Sequence, residues 1–117
     1  MSSFTRPVDW YKSSWKDFKR LPDAVQRRMD MALKVAQLGG KHQSAKPLQG
    51  FGNARVLEIR AGYAGSAYRL VYTSPAPGHI IVLHCYQKKS TRGIATPKPD
   101  AAVILQRLRD LLKERYL

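Results

Sequence analysis

Residues 55–73 read RVLEIRAGYAGSAYRLVYT and predict two strands joined by a short connection. Apolar and polar side chains alternate over residues 55–60 and again over residues 68–73, and a period of two is typical of strands with one buried face. A proline-containing turn signal at residues 75–78 leads to a third and very apolar run, residues 79–87. Since the connections are short, we expect the three runs to pair as an antiparallel meander.

Helical periodicity flanks the predicted sheet on both sides. In the N-terminal part, apolar side chains at helical spacing predict two helices within residues 7–38, and Gly39-Gly40 ends the second. Their apolar positions are Tyr11, Trp15 and Phe18 in the first helix and Val25, Met29, Leu33 and Ala36 in the second. A last stripe of Ile104, Leu108 and Leu111 predicts a helix over residues 100–116.

These elements predict one α+β domain over residues 1–117. We expect an N-terminal αα-hairpin (about 7–38) packed on one face of a small antiparallel sheet (about 55–87), with a C-terminal helix. With 44% hydrophobic and 25% charged side chains, the chain is typical of a soluble globular protein. No stretch is typical of a membrane span or a signal peptide, so we expect no membrane partner and a cytoplasmic location. The single cysteine, Cys85, excludes an intrachain disulfide and is expected to be a core thiol.

The charge of the chain is strongly positive and unevenly distributed. Twenty-one Lys and Arg residues against eight Asp and Glu give +13, which favours a polyanion or an acidic protein as partner. Between residues 31 and 99 there are ten basic side chains and a single acidic one, Glu58. Strand alternation places Arg60 and Arg69 away from the predicted helices, where they would form a cationic cradle for a phosphate backbone. The alternative is a solvated basic surface that only keeps the protein soluble.

Several short motifs, in a fixed order, resemble one superfamily of proteins. They are Leu48-Gln49-Gly50, the LEIR and YRLVY segments of residues 57–60 and 68–72, the basic segment Lys88-Lys89-Ser90-Thr91, and Thr96-Pro97. In this order they resemble the RelE/ParE toxin superfamily, and most closely its HigB-like, phage-derived branch.

The resemblance implies the toxin of a type II toxin–antitoxin module. RelE-side members are endoribonucleases (mRNA interferases) that cut mRNA in the ribosomal A site: the ribose 2′-OH attacks the adjacent phosphate, and neither a metal nor a cofactor is needed. It also implies three partners: a cognate antitoxin with an acidic contact surface, mRNA and the ribosome. ParE-side members share the fold but inhibit DNA gyrase and cut nothing, so a non-enzymatic gyrase inhibitor is the alternative. A basic nucleic-acid-binding protein without toxicity is a third possibility.

The resemblance also implies the residues of the site. Arg69 matches the phosphate-binding arginine of the family, and Lys88 and Lys89 match the basic pair where RelE-like toxins hold a catalytic arginine. The lysine pair of RelE-type nucleases is replaced here by Val56 and Glu58. The proton acceptor therefore stays open among Lys46, Glu58 and the amines of Lys88 and Lys89. The candidates for RNA contact are Arg60, Lys46, Arg92 and Tyr86, with Tyr86 as a stacking group or an acid and Tyr63 as a further stacking group.

Structural roles are the alternatives at these positions. Arg69 can form a cross-strand ion pair with Glu58, and the Lys88-Lys89 pair can be a solvated strand end that discourages edge pairing. His84 and Cys85 are neighbours on a strand and point to opposite faces, so no shared metal site is expected.

Overall fold

The computed structural model describes residues 6–52, 54–89 and 95–116. Along the chain the elements are β1 (Asp9–Trp10), α1 (Ser14–Lys19), α2 (Asp23–Gln37), β2 (Ala45–Pro47), β3 (Val56–Tyr63), β4 (Ser66–Ala76), β5 (His79–Lys88) and α3 (Lys98–Tyr116). The strands form one sheet in the order β1-β5-β4-β3-β2. The protein is therefore a mixed α+β fold with a five-stranded sheet and a C-terminal helix.

The predicted meander is the centre of this sheet. Strands β3, β4 and β5 pair antiparallel, with Glu58 opposite Val71 and Arg69 opposite Tyr86. The β3–β4 turn is Ala64-Gly65, and both residues have positive φ (51° and 80°), as the tight two-residue turns that match strand twist require. The sheet is larger than predicted, because β2 adds an antiparallel edge to β3 and β1 a parallel edge to β5.

Helices cover both faces of the sheet. The core on one face joins α1 and α2 to the sheet through buried side chains such as Phe18, Met29, Ile59 and Leu70. The core on the other face joins α3 to the sheet, and it includes Ile81, Leu83, Ile104 and Leu108. We call the first the α2 face and the second the α3 face.

The expected N-terminal αα-hairpin is not confirmed. Residues 7–13 are not helical: Asp9 and Trp10 form β1, the Tyr11 N–H donates to Val82 O, and Lys12 has a positive φ of 56°. The apparent helical stripe failed because its members lie in different cores. Tyr11 packs on the α3 face, whereas Phe18 packs on the α2 face, so no single helix connects them.

The second helix is confirmed and is fixed at both ends. Helix α2 starts directly after Pro22 and ends at Gln37, and Gly39 follows with a φ of 89°. Its end also meets the β4–β5 turn, where a Cβ on Gly78 would lie 2.8 Å from Gln37 O. Only glycine fits at this close approach. Across the described ranges, none of the helices has the length and apolarity needed to cross a membrane.

Candidate active site

The α3 face changes character along the strands. The part of this face that forms the core with α3 is apolar. The other end of the face carries ionised and hydroxyl side chains from β3, β4 and β5. We call this set the Glu58 cluster; it consists of Glu58, Arg60, Arg69, Tyr86 and Lys88. Strand alternation and register bring the five together, since Arg69 lies directly opposite both Arg60 and Tyr86 in the sheet.

Glu58 is the centre of the cluster. Its Oε1 accepts hydrogen bonds from Arg69 Nη1 (2.6 Å) and Arg60 Nε (2.9 Å), and its Oε2 accepts one from the Tyr86 hydroxyl (3.4 Å). Glu58 is 1% exposed and Arg69 7%. An isolated buried charge is costly, and here the carboxylate compensates two guanidinium groups that face each other across strands. The cross-strand pair of Arg69 with Glu58, expected as the structural alternative, is observed.

The pKa of Lys88 is shifted in favour of the neutral amine. Lys88 is only 5% exposed, and burial lowers its pKa below the usual 10.5; the charges of Arg69 and Arg60 lower the pKa further, and Glu58 opposes them. The pKa of Tyr86 moves the other way, because burial and the nearby Glu58 carboxylate raise it. At neutral pH Tyr86 therefore keeps its proton, while Lys88 loses its own more readily than an exposed lysine.

Arg69 has one donor that the cluster leaves unused. Its Nε is buried and has no hydrogen-bond partner among the residues that the structure describes. A buried N–H without an acceptor is costly, and an anion at this position would supply the acceptor. The orphaned donor is consistent with a phosphate site beside Glu58.

His84, which the sequence analysis considered only as a metal ligand, contacts the cluster through Tyr86. The ring of His84 stacks on Tyr86, with centroids 5.2 Å apart and planes at 17°. The His84 Nε2–H donates to Asp100 Oδ1 of α3 at 2.8 Å. A register shift beside Val71 makes Leu83 an extra residue in β5 and aims His84 at α3. As predicted, Cys85 lies on the opposite side of the strand, in the core of the α2 face.

Arg107 joins α3 to β5 beside His84. Its Nη1 donates to Leu83 O at 2.7 Å and its Nη2 to Ser13 Oγ at 2.8 Å, while Nη1 is 3.8 Å from the Asp17 carboxylate. Helix α3 is thus joined to the bulged segment of β5 and to α1. The sequence offers no local signal for these contacts, because every partner is distant along the chain.

The other predicted site residues are dispersed. Lys46 is exposed on β2, opposite Glu58 in register, and Lys89 is exposed directly after β5. Tyr63 is 44% exposed at the β3–β4 turn. Tyr86 is buried and its ring stacks on His84, so it offers less exposed ring surface to a base than Tyr63 does. Arg92 lies outside the described residues.

The expected position of Arg60 and Arg69 on an open cationic face of the sheet is wrong in one respect. Sequence reasoning placed Arg60 and Arg69 on an open face, but α3 covers that face and Arg69 is buried; only Arg60 remains half-exposed. The last helix packs on this face of the sheet, opposite α1 and α2.

Two grooves meet at Arg60. One has a volume of about 540 Å³ and lies between the β2–β3 connection and the start of α3; we call it the loop groove. The other, about 480 Å³, lies between α2 and β3 and is lined by Arg27, Arg28 and His42; we call it the helix groove. Within the ranges that the structure describes, no group of three His, Cys, Asp or Glu side chains is placed to hold a metal ion.

The comparisons with known proteins identify a family for this chain. Among curated proteins no match is found. Residues 16–109 match the family model described as "Phage derived protein Gp49-like (DUF891)", a family of toxin-like proteins of the RelE and HigB type. The match covers most of the chain and all of the Glu58 cluster, and the chain belongs to the family of phage-derived Gp49-like proteins.

Proposed function

We propose that this protein is the toxin of a toxin–antitoxin pair and acts in the cytoplasm as an mRNA interferase, a metal-independent endoribonuclease. The observation that carries the proposal is the Glu58 cluster. It gathers two arginines, a lysine with a lowered pKa and a protonated tyrosine at one end of the sheet. Transfer of the ribose 2′-OH onto its neighbouring phosphate needs these elements: positive charge, a proton acceptor and a proton donor.

The arginines bind the phosphate. Arg60 is half-exposed and gives the cluster its contact with solvent, and Arg69 contributes the buried Nε that has no acceptor within the described part of the chain. Donors fixed in place before the reaction stabilise the charge that develops on phosphorus without reorganising. Glu58 is a positioning residue here, because both guanidinium groups are oriented by its Oε1.

Lys88 and Tyr86 move the protons. The neutral amine of Lys88 takes the 2′-OH proton while the bond between the 2′-oxygen and phosphorus forms. The bond from phosphorus to the 5′-oxygen breaks, and the Tyr86 hydroxyl protonates that oxygen. An alkoxide is a far stronger base than a phenolate, so this transfer is downhill even with the raised pKa of Tyr86. The products are a 2′,3′-cyclic phosphate and a 5′-hydroxyl, and solvent returns the proton from Lys88 to Tyr86.

Cleavage of ribosome-bound mRNA tests the proposal. Primer extension on programmed ribosomes with an open A site should show a cut in the A-site codon with the wild-type protein. Arg69→Lys keeps the charge next to Glu58 but loses the guanidinium geometry, and we expect on the order of a hundredfold less cleavage. Arg109→Lys, a matched change on the exposed surface of α3, should cut like wild type. Equal cutting by the Arg69→Lys variant would remove Arg69 from the mechanism.

A gyrase inhibitor of the ParE kind is the second candidate. Glu58 favours it, because a buried carboxylate stands where RelE-type nucleases hold a lysine, and it neutralises part of the arginine charge. Inhibition of DNA supercoiling by the purified protein, with no RNA scission on ribosomes, would establish this alternative. Under both proposals the partner is an antitoxin with an acidic contact surface, as the net charge of +13 favours.

A further inference from the structure

The loop groove has features that the proton-transfer chemistry does not use. Leu48 and Phe51 form one wall and pack against the core of the α3 face. Ala102 and Leu105 of α3 form the other wall. Side chains held by a core form a groove before any ligand arrives, which lowers the entropy lost on binding.

Arg60 joins this groove to the Glu58 cluster. It lines one end of the groove and donates its Nε–H to Glu58. A nucleotide carries its base and its phosphate on the same sugar, so a phosphate on Arg60 brings its base to the groove. Among the described residues, the chemistry of the lining matches this division, with one cation at the cluster end and mostly apolar side chains along the walls.

The helix groove provides a contrast. It is lined by Arg27, Arg28 and His42 as well as by Arg60, so it offers several cations over its length. That pattern suits consecutive phosphates or acidic side chains rather than an uncharged ring. The loop groove holds Phe51, whose ring gives a base a stacking partner, and the exposed amide of Gln49, which both donates and accepts hydrogen bonds.

We propose that the loop groove binds one unpaired nucleobase of the RNA strand whose phosphate lies on Arg60 and Arg69. The inference rests on the proposed function and adds to it a base-recognition site. Phe51 stacks on the base, and Gln49 hydrogen-bonds its edge. The preference of the protein among RNA sequences is therefore set at the β2–β3 connection, outside the Glu58 cluster.

Binding to abasic oligonucleotides tests the inference without requiring cleavage. The probe is a fluorescent oligoribonucleotide with a 2′-deoxy sugar at the scissile position, in a series that lacks one base at a time but keeps every phosphate. With wild-type protein, removal of one particular base should weaken binding roughly tenfold, the usual effect of losing one stacked base. The other abasic positions should have smaller effects, and the salt dependence of binding should stay the same along the series.

Filling the groove should abolish this discrimination. In Ala102→Phe a new ring occupies the space of the base, and Phe51→Ala removes the stacking surface; in both variants the abasic penalty should vanish while salt-dependent binding remains. Gln106→Phe is the matched control, since it adds the same ring one turn along α3, at a position outside the groove lining. Gln49→Ala should change which base is preferred at that position.

The possible failures are distinguishable. Wild-type protein that cuts RNA but binds every abasic probe equally well would overturn the inference and leave the proposed function standing. An Ala102→Phe variant that keeps the abasic penalty but no longer binds the antitoxin would make the groove a protein interface and also overturn the inference. Absence of RNA binding and of cleavage at any salt concentration would overturn the proposed function itself.

Discussion

The two faces of one sheet differ in how they are stabilised. On the α2 face the buried side chains are apolar from one end of the strands to the other, as with Leu57, Ile59 and Leu70. Their neighbours along the same strands, Glu58, Arg60 and Arg69, point to the α3 face and form a buried ion network. Burial of aliphatic side chains is stabilising by itself, whereas burial of charges is at best balanced by their pairing. The α2 face is thus stabilised by apolar burial along the strands, whereas the α3 face combines an apolar core with a buried ion network that stabilises the fold less.

Removing the centre of the ion network should have the largest effect on stability. Glu58→Ala leaves Arg69 buried without its carboxylate, and we expect a loss of about 3–5 kcal/mol in the free energy of unfolding, measured by urea denaturation. The double variant Glu58→Met/Arg69→Met makes this part of the α3 face as apolar as the α2 face. It should recover most of the loss while remaining inactive. A Glu58→Ala protein as stable as wild type would show that the network does not contribute to the fold.

Lys88 should affect activity more than stability. Lys88→Arg keeps a cation in place, but a guanidinium stays protonated, so cleavage should fall about a hundredfold, as for loss of a general base. Because the pKa of Lys88 lies below 10.5, the neutral amine becomes more abundant as pH rises, and the wild-type rate should rise with pH until that pKa is passed. The variant should lack this rise. Initial cleavage rates across the neutral and alkaline pH range measure both effects. Lys89→Arg, at the exposed neighbouring position, is the control. An unchanged pH profile for Lys88→Arg would exclude Lys88 as the proton acceptor.

The link between α3 and the cluster should have an intermediate effect. Asp100→Asn weakens the acceptor for the His84 ring, which is stacked on Tyr86, and the loss of one charge-assisted hydrogen bond costs about 1 kcal/mol or somewhat more. Thermal denaturation should show a melting temperature a few degrees lower. Asp110→Asn, on the same helix but away from His84, serves as the control. Equal melting temperatures for the two variants would show that the His84 contact does not hold α3 on the sheet.

The smallest effect is expected at the sheet edge. Lys46 is exposed on β2, opposite Glu58 in register, so Lys46→Ala should change the free energy of unfolding by less than about 0.5 kcal/mol. If Lys46 contacts an RNA phosphate, the slope of log affinity against log salt should fall by about 0.7 for single-stranded RNA. Fluorescence anisotropy at several salt concentrations measures the slope, with Lys34→Ala on α2 as the control. An unchanged slope would show that Lys46 does not contact an RNA phosphate.

The sequence predicted the strands and the helix whose side chains follow a regular period along the chain. The period of two predicted β3, β4 and β5, and the apolar stripe of Ile104, Leu108 and Leu111 predicted α3. Pairing of Glu58 with Arg69 also followed from strand alternation. Element β1 was missed because two residues have no periodicity, and it pairs with β5, which is far away along the chain.

The less predictable part of the site depends on where α3 packs. No spacing in the sequence indicates that this helix covers the face opposite α1 and α2. The burial of Arg69 and the lowered pKa of Lys88 depend on tertiary packing, and so they could not be foreseen either. His84 was considered only as a metal ligand. Its role beside Tyr86 depends on a one-residue register shift in β5, which a strict alternation of side chains does not contain.

The parallel pairing of β1 with β5 has a consequence for biosynthesis. Asp9 contacts His79, 70 residues further along the chain, and also Arg115 near the end of α3. During translation β1 therefore has no partner until β5 has left the ribosome, and contacts this distant along a chain form slowly. Because α3 follows all of the strands, its contact with His84, which stacks on Tyr86 of the Glu58 cluster, forms only after the last strand has been made. Nascent chains that stop short of α3 would lack the Asp100 acceptor of His84 and the bond from Arg107 to Leu83 O, so the support that α3 gives to β5 is established only late in synthesis.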